Sequence, residues 1–383
     1  MRHTTFLGGP RRQIHPLLCT LGRVPGSIGL DVLSQFPAAE VPNVSEQTAT
    51  SQSVAVIGDG QMGLVMADLL ESNGHDVRVW GPFPDHVEEL AQTRRSPRLP
   101  GYQAPESMLI SSEAGPVLRG ARLVICAIPC QFIRPVFSGL GEYLEAAPIL
   151  VSVAKGIEVK SLLRPTEVLR SVLGDHGGPG VCLSGPTIAT ELVARQIATM
   201  ITASEDSEAA RIVQKTFSTP WIRIYTHDDL VGVEFAGAVK NVVAIAAGIL
   251  DGLGQGFNAK SALLARGLAE IVRLGEAIDA RRETFFGLSG VGDLATTCFS
   301  PDGRNRSCGE AIGAGMSLKD YLASSQCVVE GVETTLAMVQ LAKTHGVEVP
   351  IIDAVHSVLF EGVSPRSAIE DLLARGAGSE TIG

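Results

Sequence analysis

A glycine-rich turn between a short apolar strand and a helix constrains the fold of this chain more than any other feature. The apolar, β-branched run Ser53–Ile57 leads into Gly58-Asp59-Gly60-Gln61-Met62-Gly63, and a second apolar run, Val77–Trp80, follows a helical pattern. In such a strand–helix–strand unit, Gly58 permits the tight turn and Gly60 lets the backbone approach a pyrophosphate. Gly63 lets the helix pack closely on the strand. The sequence therefore predicts a Rossmann-like dinucleotide-binding domain.

The alternation of strand and helix patterns divides the chain into two architectures. Residues 53–231 alternate, and near-continuous apolar runs such as Leu123–Ile128 and Ile149–Val153 are typical of parallel strands covered on both faces. Two further apolar segments, at 198–201 and 222–225, are expected to extend the sheet. From residue 232 to 383 the pattern is helical, with an apolar, buried helix predicted over 233–250 and a second long helix over 262–280. We predict an α/β NAD(P)-binding domain over 53–231 and an all-α substrate and catalytic domain over 232–383.

The first 52 residues differ in composition from the rest. Up to Leu30 there are four arginines and no acid, and residues 37–52 are rich in Ala, Pro, Ser, Thr and Gln without periodicity. We expect a poorly ordered extension, with a targeting peptide as the alternative, because such peptides are Arg-rich and poor in acids. No secretory apolar region stands out, so a cytoplasmic location is expected.

Charge and cysteine usage exclude several classes of protein. The net charge of −10 does not favour nonspecific binding of nucleic acid, which requires an excess of positive charge. Seven cysteines without paired spacing indicate no disulfide framework, and Cys126 lies in a buried-strand pattern rather than in a metal site. The histidines show no helical metal-binding spacing, so no metal is expected. We expect no apolar run to reach the roughly 18 residues of a membrane span.

Lys240 is the most unusual ionisable residue of the helical half. It lies in an apolar helical run with Glu234 and Asn241 as its polar company. Burial of an ammonium is unfavourable unless the group is paired or its pKa falls, and a lysine of lowered pKa is a candidate general base. The alternatives are a lysine that reaches solvent from the edge of the helix and one that pairs with Glu234.

Four other segments carry polar residues suited to an active site, and each has an alternative interpretation. Lys155 follows a buried strand, and its side chain points either into a cleft or to solvent. Asp293 lies in a Gly-Val-Gly-Asp turn and is either a helix cap or an acid that orients an ammonium group. Arg304-Asn305 suits a phosphate or lies in a solvated loop. The loop Ser184-Gly185-Pro186-Thr187 could line the cleft. A nucleophilic Ser184 lacks a Gly-x-Ser-x-Gly elbow and a histidine partner.

Taken together, these segments resemble the NAD(P)-dependent sn-glycerol-3-phosphate dehydrogenases of the bacterial type. The matching motifs run in the family's order from about Ser53 to Pro350, and they include Arg98-Leu99-Pro100-Gly101, Ala154–Glu158, Leu183–Thr187, Gly237–Val242, Asn258–Leu274, Gly290–Leu294, Arg304-Asn305 and Val329–Val332. The resemblance implies hydride transfer between glycerol 3-phosphate and dihydroxyacetone phosphate, with NAD or NADP as cofactor. It also implies a supply of glycerol 3-phosphate for glycerophospholipid synthesis.

The resemblance assigns roles to individual positions. It implies that Lys240 is the proton acceptor, with Lys155 and Asp293 as the other catalytic residues. The substrate site it implies comprises Lys155, Gly185, Thr187, Lys240, Asp293, Thr297, Gly303, Arg304 and Asn305. The cofactor site it implies comprises Gly58, Gly60, Gln61, Met62, Gly63, Lys155, Ala189, Arg304, Val328 and Glu330. A homodimer is the default expectation.

The chain departs from the family pattern at two places. Gln61-Met62 stand where the family usually has Ser-Trp, which removes an aromatic wall near the cofactor, and Gly303 replaces a serine before Arg304-Asn305. Neither change touches the acid–base residues.

The choice between NAD and NADP is less constrained. The segment after the second strand, residues 80–84, has neither the arginine that meets a 2′-phosphate nor the acid that accepts ribose hydroxyls, and Asp85 lies beyond two prolines. Arg94 or Arg95 could substitute for the missing arginine, and NAD is slightly favoured. The rival functions are a β-hydroxyacid dehydrogenase of the same architecture and a catalytically silent dinucleotide sensor.

Overall fold

An eight-stranded sheet forms the first half of the computed structural model, which describes residues 51–325 and 327–376. The strands are β1 (Ser53–Ile57), β2 (Asp76–Trp80), β3 (Leu109–Ser111), β4 (Leu123–Cys126), β5 (Ile149–Ser152), β6 (Gly180–Ser184), β7 (Ala198–Ala203) and β8 (Ile222–His227). Their spatial order is β3-β2-β1-β4-β5-β6-β7-β8. The first six strands run parallel in the order typical of dinucleotide-binding sheets. The predicted Rossmann-like sheet is confirmed.

Short helices cover both faces of this sheet. They are α1 (Gln61–Ser72), α2 (Pro84–Thr93), α3 (Ala114–Leu118), α4 (Ile133–Phe137), α5 (Pro165–Leu173), α6 (Ala189–Val193) and α7 (Ser207–Phe217). Two clusters of buried apolar side chains lie on the sheet, one containing Val54, Val56 and Leu64 and the other containing Ala55, Ile57 and Val124. Neighbouring residues of β1 thus face opposite clusters, because successive side chains of a strand point to opposite faces.

The last two strands extend the sheet, as predicted, but with a change of direction. β7 pairs antiparallel with β6 and parallel with β8. The connection from β6 to β7 contains only the five-residue helix α6, which is too short to return the chain across the sheet as a parallel crossover does. The carboxyl end of β6 therefore pairs with the carboxyl-terminal half of β7, with Ser184 opposite Ile201 and Cys182 opposite Ala203.

The second half is helical, as expected, and is built around one buried helix. The helices are α8 (Leu230–Gly252), α9 (Phe257–Glu276), α10 (Asp293–Phe299), α11 (Arg304–Gly313), α12 (Leu318–Ser324), α13 (Glu330–His345), α14 (Pro350–Phe360) and α15 (Pro365–Ala374). The predicted helix over 233–250 begins earlier, at Leu230, because the Asp229 carboxylate caps it by accepting a hydrogen bond from the Gly232 N–H (2.8 Å). The predicted helix over 262–280 begins at Phe257 and ends at Glu276.

Helix α8 is enclosed by its neighbours on nearly all sides. Among the described residues it is the one helix long and apolar enough to cross a membrane by length and composition, so the expectation that no run reaches this length was wrong. Nearly all of its side chains are buried within the fold. Helix α11 approaches α8 so closely that a Cβ on Gly248 would lie 1.9 Å from the Arg306 carbonyl oxygen. This contact holds the amino end of α11 next to α8.

The proposed boundary between residues 231 and 232 stays a prediction. The expectation for residues 1–52 falls almost entirely outside the described part of the chain.

Candidate active site

The glycine loop has the shape that a dinucleotide phosphate requires. A Cβ on Gly58 would lie 2.6 Å from the Ala127 carbonyl oxygen, and a Cβ on Gly63 would lie 1.9 Å from the Gly58 carbonyl oxygen, so neither position accepts a larger residue. A Cβ on Gly60 would meet nothing within 4 Å, which leaves its backbone open to approach. Helix α1 begins at Gln61 without a side-chain cap, so its first N–H groups are available to an anion. These residues fit a bound dinucleotide.

The central feature of the site is one carboxylate between two ammonium groups. Asp293, the first residue of α10, accepts a hydrogen bond from Lys240 Nζ through Oδ1 (2.6 Å) and from Lys155 Nζ through Oδ2 (2.7 Å). Lys240 comes from the middle of α8, and Lys155 follows β5. The side chains of Asp293 and Lys240 are 2% and 7% exposed, and that of Lys155 is 17% exposed. The carboxylate thus orients both ammonium groups rather than capping its helix.

Neighbouring polar groups fix the positions of the two lysines. Lys240 Nζ lies 2.5 Å from Thr297 Oγ1, and this hydroxyl donates to the Asp293 carbonyl one helical turn earlier (2.7 Å). The Asn241 side-chain amide donates to the Lys155 carbonyl at 2.9 Å. Helix α8 therefore positions Lys240 by its own backbone and Lys155 through the adjacent Asn241.

The surroundings of Lys240 favour its neutral amine. Burial lowers the pKa of Lys240 to about 8, the Asp293 carboxylate opposes this shift, and the positive charge of Lys155 adds to it. A lysine with a pKa near 8 exchanges a proton near neutral pH far more readily than an exposed lysine. This property suits a general acid–base group. Glu234 does not pair with Lys240, because its carboxylate contacts Arg164 and Thr166 instead.

The loop after β6 completes the environment of Lys155. Its ammonium donates to the Gly185 carbonyl (3.0 Å) and lies 3.4 Å from Thr187 Oγ1. Gly185 has φ of +124°, a conformation that favours glycine and turns its carbonyl toward the lysine. Ser184 is buried, and its Oγ has no hydrogen-bond partner among the described residues, so no histidine activates it. The rival idea of a serine nucleophile has no support in this geometry.

The expected anion-binding pair lies at the amino end of α11. Arg304 is exposed and begins the helix, whereas Asn305 is buried and its Oδ1 accepts a hydrogen bond from the Gly331 N–H (2.8 Å). This bond leaves the amide Nδ2 of Asn305 as the group that can donate to an anion. A Cβ on Gly303 would lie 3.1 Å from the Thr297 carbonyl oxygen, so the glycine also suits the close packing of α11 on α10.

The remaining expected cofactor residues occupy three separate elements. Glu330 begins α13, and its Oε1 accepts a hydrogen bond from the Cys130 N–H at 3.2 Å. Burial raises the pKa of Glu330, and the positive charge of Arg304 opposes the shift. Ala189 begins α6, and Val328 is 39% exposed just before α13. Their roles toward a cofactor stay predictions.

No local sequence pattern predicts the contacts of two groups near the site. Asn241 is a polar neighbour of Lys240 in the sequence, and its contact with the Lys155 carbonyl joins the helical half to the end of β5. Asp59 lies inside the glycine motif and is 3% exposed. A buried acid within a phosphate-binding loop was the signal that could have identified it.

The fold and the glycine loop define this chain as a Rossmann-type dinucleotide-binding protein with a helical second half. The family model described as NAD-dependent glycerol-3-phosphate dehydrogenase N-terminus matches residues 53–210, and the corresponding C-terminus model matches residues 229–370. The chain belongs to this family.

Individual relatives agree with the family models over nearly their full length. The chain is 45% identical over 330 residues to a glycerol-3-phosphate dehydrogenase [NAD(P)+] of Syntrophotalea carbinolica, covering 86% of this chain and 99% of that one. It is 42% identical to the Geobacillus kaustophilus protein of the same name, covering 86% and 96%. The crystal structure of the Coxiella burnetii glycerol-3-phosphate dehydrogenase has a TM-score of 0.81 and 33% identity, covering 85% of this chain and 99% of that one.

Proposed function

We propose that this protein is an NAD(P)-dependent sn-glycerol-3-phosphate dehydrogenase, with Lys240 as its acid–base residue. The observation that supports it best is the sharing of the Asp293 carboxylate by Lys240 and Lys155. In the cell this reaction supplies glycerol 3-phosphate for glycerophospholipid synthesis. NAD or NADP, when bound at the glycine loop, supplies or accepts the hydride.

Lys240 transfers the proton that accompanies hydride transfer. As a neutral amine it accepts the proton of the C2 hydroxyl of glycerol 3-phosphate during oxidation. As an ammonium it returns a proton to the C2 oxygen of dihydroxyacetone phosphate during reduction. A positioned proton transfer of this kind contributes about 10²–10⁴-fold to a rate. Asp293 and Thr297 hold the amine in place through the whole cycle.

Lys155 supplies a fixed positive charge near the reacting oxygen. Its ammonium is held by Asp293 and by the Gly185 carbonyl, so it needs little reorganisation during the reaction. Two ammonium groups around one carboxylate leave the site positive when both are charged, which favours a phosphorylated substrate. Arg304 and the Asn305 amide form the phosphate clamp in this proposal, because a guanidinium offers two parallel donors to phosphate oxygens.

Location and assembly are further parts of the proposal. A cytoplasmic enzyme fits the water-soluble phosphate ester and dinucleotide on which it acts. We also propose a homodimer, which light scattering during size-exclusion chromatography would test directly.

The experiment that tests the function is an initial-rate assay on the purified full chain. We expect rapid oxidation of NADH or NADPH with dihydroxyacetone phosphate and little with 3-oxo acids that lack a phosphate. Turnover of the acids instead would favour a β-hydroxyacid dehydrogenase. Normal binding of the dinucleotide without turnover of any ketone would favour a silent sensor.

A further inference from the structure

A buried acid inside the glycine loop carries a contact network that the acid–base mechanism does not use. The Asp59 carboxylate, 4% exposed, lies 3.3 Å from Arg98 Nη1 through Oδ1 and 3.3 Å from His86 Nε2 through Oδ2. His86 belongs to α2, and Arg98 lies in the loop after α2. Only Arg98 meets the geometry of a hydrogen bond, so Oδ2 has no hydrogen-bond partner among the described residues. A buried carboxylate oxygen without a hydrogen bond is unusual enough to require an explanation, and a ligand hydroxyl reaches it once the partly exposed His86 side chain turns aside.

The position of this carboxylate relative to β2 supplies the explanation. In dinucleotide-binding folds, an acid about 20 residues after the glycine motif, at the end of the second strand, accepts the adenosine ribose hydroxyls of NAD. In this chain that position holds Trp80-Gly81, which carry no charge. A Cβ on Gly81 would lie 2.8 Å from Asp59 Cγ and 2.9 Å from Oδ2. The carboxylate of Asp59 therefore occupies the space that a side chain at position 81, directly after β2, would otherwise fill.

We infer that Asp59 selects the cofactor by accepting a hydrogen bond from the adenosine ribose of NAD and by disfavouring the 2′-phosphate of NADP. The inference rests on the proposed dehydrogenase function, since it concerns the cofactor of that reaction. A carboxylate accepts a hydrogen bond from a ribose hydroxyl but repels a phosphate dianion. The charge of Arg98, which could otherwise attract the 2′-phosphate, is already balanced by Asp59. Gly81 is part of the arrangement because any larger residue would displace the carboxylate.

Arg94, one of the two arginines suggested by the sequence, makes its contacts away from this cluster. Arg94 Nη1 donates to the carbonyls of Met108 (2.8 Å) and Pro105 (3.3 Å), and its Nε lies 3.6 Å from Glu106. These contacts hold its guanidinium on the loop before β3. Among the described residues, Arg98 is the arginine whose guanidinium contacts Asp59 of the glycine motif, and its side chain is 41% exposed and can move when Asp59 is replaced by a neutral residue.

The test measures binding of cofactor fragments that lack the nicotinamide, so it does not depend on turnover. ADP-ribose and 2′-phospho-ADP-ribose are titrated into the full-length protein by isothermal calorimetry. We expect the wild type to bind ADP-ribose at least about tenfold more tightly than the 2′-phosphorylated form. One charged hydrogen bond has an effect of this size. Asp59→Asn should lower the preference for ADP-ribose over the 2′-phosphorylated form by about tenfold, because Arg98 and His86 are then free to contact the phosphate.

A second variant keeps the inference testable if Asp59→Asn fails to fold. Arg98→Gln removes an exposed side chain and leaves Asp59 unbalanced, so it should shift the ratio further toward ADP-ribose. Asp85→Asn, an exposed acid on the same helix as His86, is the matched control and should leave the ratio unchanged. Thermal melting of each variant monitors folding.

Two results would overturn the inference. One is a wild type that binds the 2′-phosphorylated fragment at least as tightly as ADP-ribose. The other is a folded Asp59→Asn protein with an unchanged ratio. Neither result bears on the proposed reaction, which a rate with dihydroxyacetone phosphate tests separately.

Discussion

Lys240 Nζ lies 2.6 Å from Asp293 Oδ1, and both side chains are almost completely buried. This contact joins the middle of α8 to the first residue of α10. Because the second oxygen of the same carboxylate holds Lys155 at 2.7 Å, the three side chains form one charged unit. The behaviour of Lys240 in catalysis therefore depends on both of the other residues, and the first three predictions follow from that dependence.

Replacement of Lys240 removes the proposed proton carrier. We expect Lys240→Ala to lower kcat for reduction of dihydroxyacetone phosphate by about 10²–10⁴-fold, the usual contribution of a positioned acid. Affinity for NADH, measured by fluorescence titration, should change little, since the glycine loop is intact. Lys343→Ala, at an exposed lysine of α13, is the control and should retain full activity. Equal loss of cofactor binding and turnover would count against the assignment.

The pH dependence of the two directions should be opposite. Oxidation of glycerol 3-phosphate needs the neutral amine of Lys240, so kcat/KM should rise with pH and level off above about 8, the pKa to which burial lowers this lysine. Reduction needs the ammonium, so its kcat/KM should fall as the pH rises through the same value. Profiles in both directions with buffers of constant ionic strength check this. Two profiles without an inflection in that region would exclude Lys240 as the titrating group.

Loss of the Asp293 charge should shift these profiles. The carboxylate opposes the effect of burial on the pKa of Lys240, so Asp293→Asn should lower that pKa further, by about 1 unit or more. The inflection in the oxidation profile then moves to lower pH, together with a fall in kcat because the amine is held less firmly. Asp302→Asn, an exposed acid in the loop before α11, should leave the profile unchanged. An inflection that stays in place in Asp293→Asn would contradict the electrostatic link between the two residues.

Local patterns allowed the sequence to predict the elements of the fold that carry the site. The glycine motif needs only adjacent residues, and α8 is apolar on nearly every face, so each leaves a signal within a short window. β3 was missed because it has only three residues. The antiparallel direction of β7 was also not foreseen, since it depends on the path of the connection around α6 rather than on the strand itself.

The side-chain contacts of the site could not be predicted from local sequence patterns. Asp293 is 53 residues from Lys240 and 138 residues from Lys155, so the resemblance to a family grouped them but could not say which atoms meet. Asp59 and Arg98 are 39 residues apart, and nothing in either segment indicates the other. Such pairings follow from how strands and helices pack, which a single sequence does not display.

A buried ion pair should hold α8 against the first half of the chain. Glu234 Oε2 accepts from Arg164 Nη1 (2.6 Å) and from the Thr166 hydroxyl (2.7 Å), at the start of α5. Glu234→Gln removes the buried negative charge that compensates the largely buried guanidinium of Arg164. We therefore expect the free energy of unfolding, measured with urea, to fall by about 2 kcal/mol. The loss is below that of a fully unpaired charge because Glu167 still contacts Arg164 (2.8 Å).

Glu167→Gln provides the matched control for this pair. It removes the other acid from the same arginine, but the Glu167 side chain is 40% exposed and its replacement should cost well under 1 kcal/mol. Equal effects of the two substitutions would show that burial of Glu234 does not determine the stability of this contact.

Stability should also depend on pH through a buried acid of the helical half. The Glu270 carboxyl accepts hydrogen bonds from the N–H groups of Ile351 (2.8 Å) and Ile352 (3.3 Å) in the first turn of α14. Burial raises its pKa to about 7, although these two donors oppose the shift. The folded chain keeps the proton of Glu270 at pH values where the unfolded chain has released it. The contribution of this group to stability is therefore complete below about pH 4.5, its ordinary pKa. It is lost as the pH rises toward 7.

The substitution Glu270→Gln, which cannot titrate, should remove this dependence. We expect the slope of unfolding free energy against pH between about 5 and 7 to become more positive by up to about 1.4 kcal/mol per pH unit, the value for one proton. Urea unfolding followed by circular dichroism at several pH values gives the slope. Glu276→Gln, an exposed acid at the end of α9, should leave it as in the wild type. If wild type and Glu270→Gln have the same slope, the acid is ionised in the folded protein and its two backbone donors outweigh burial.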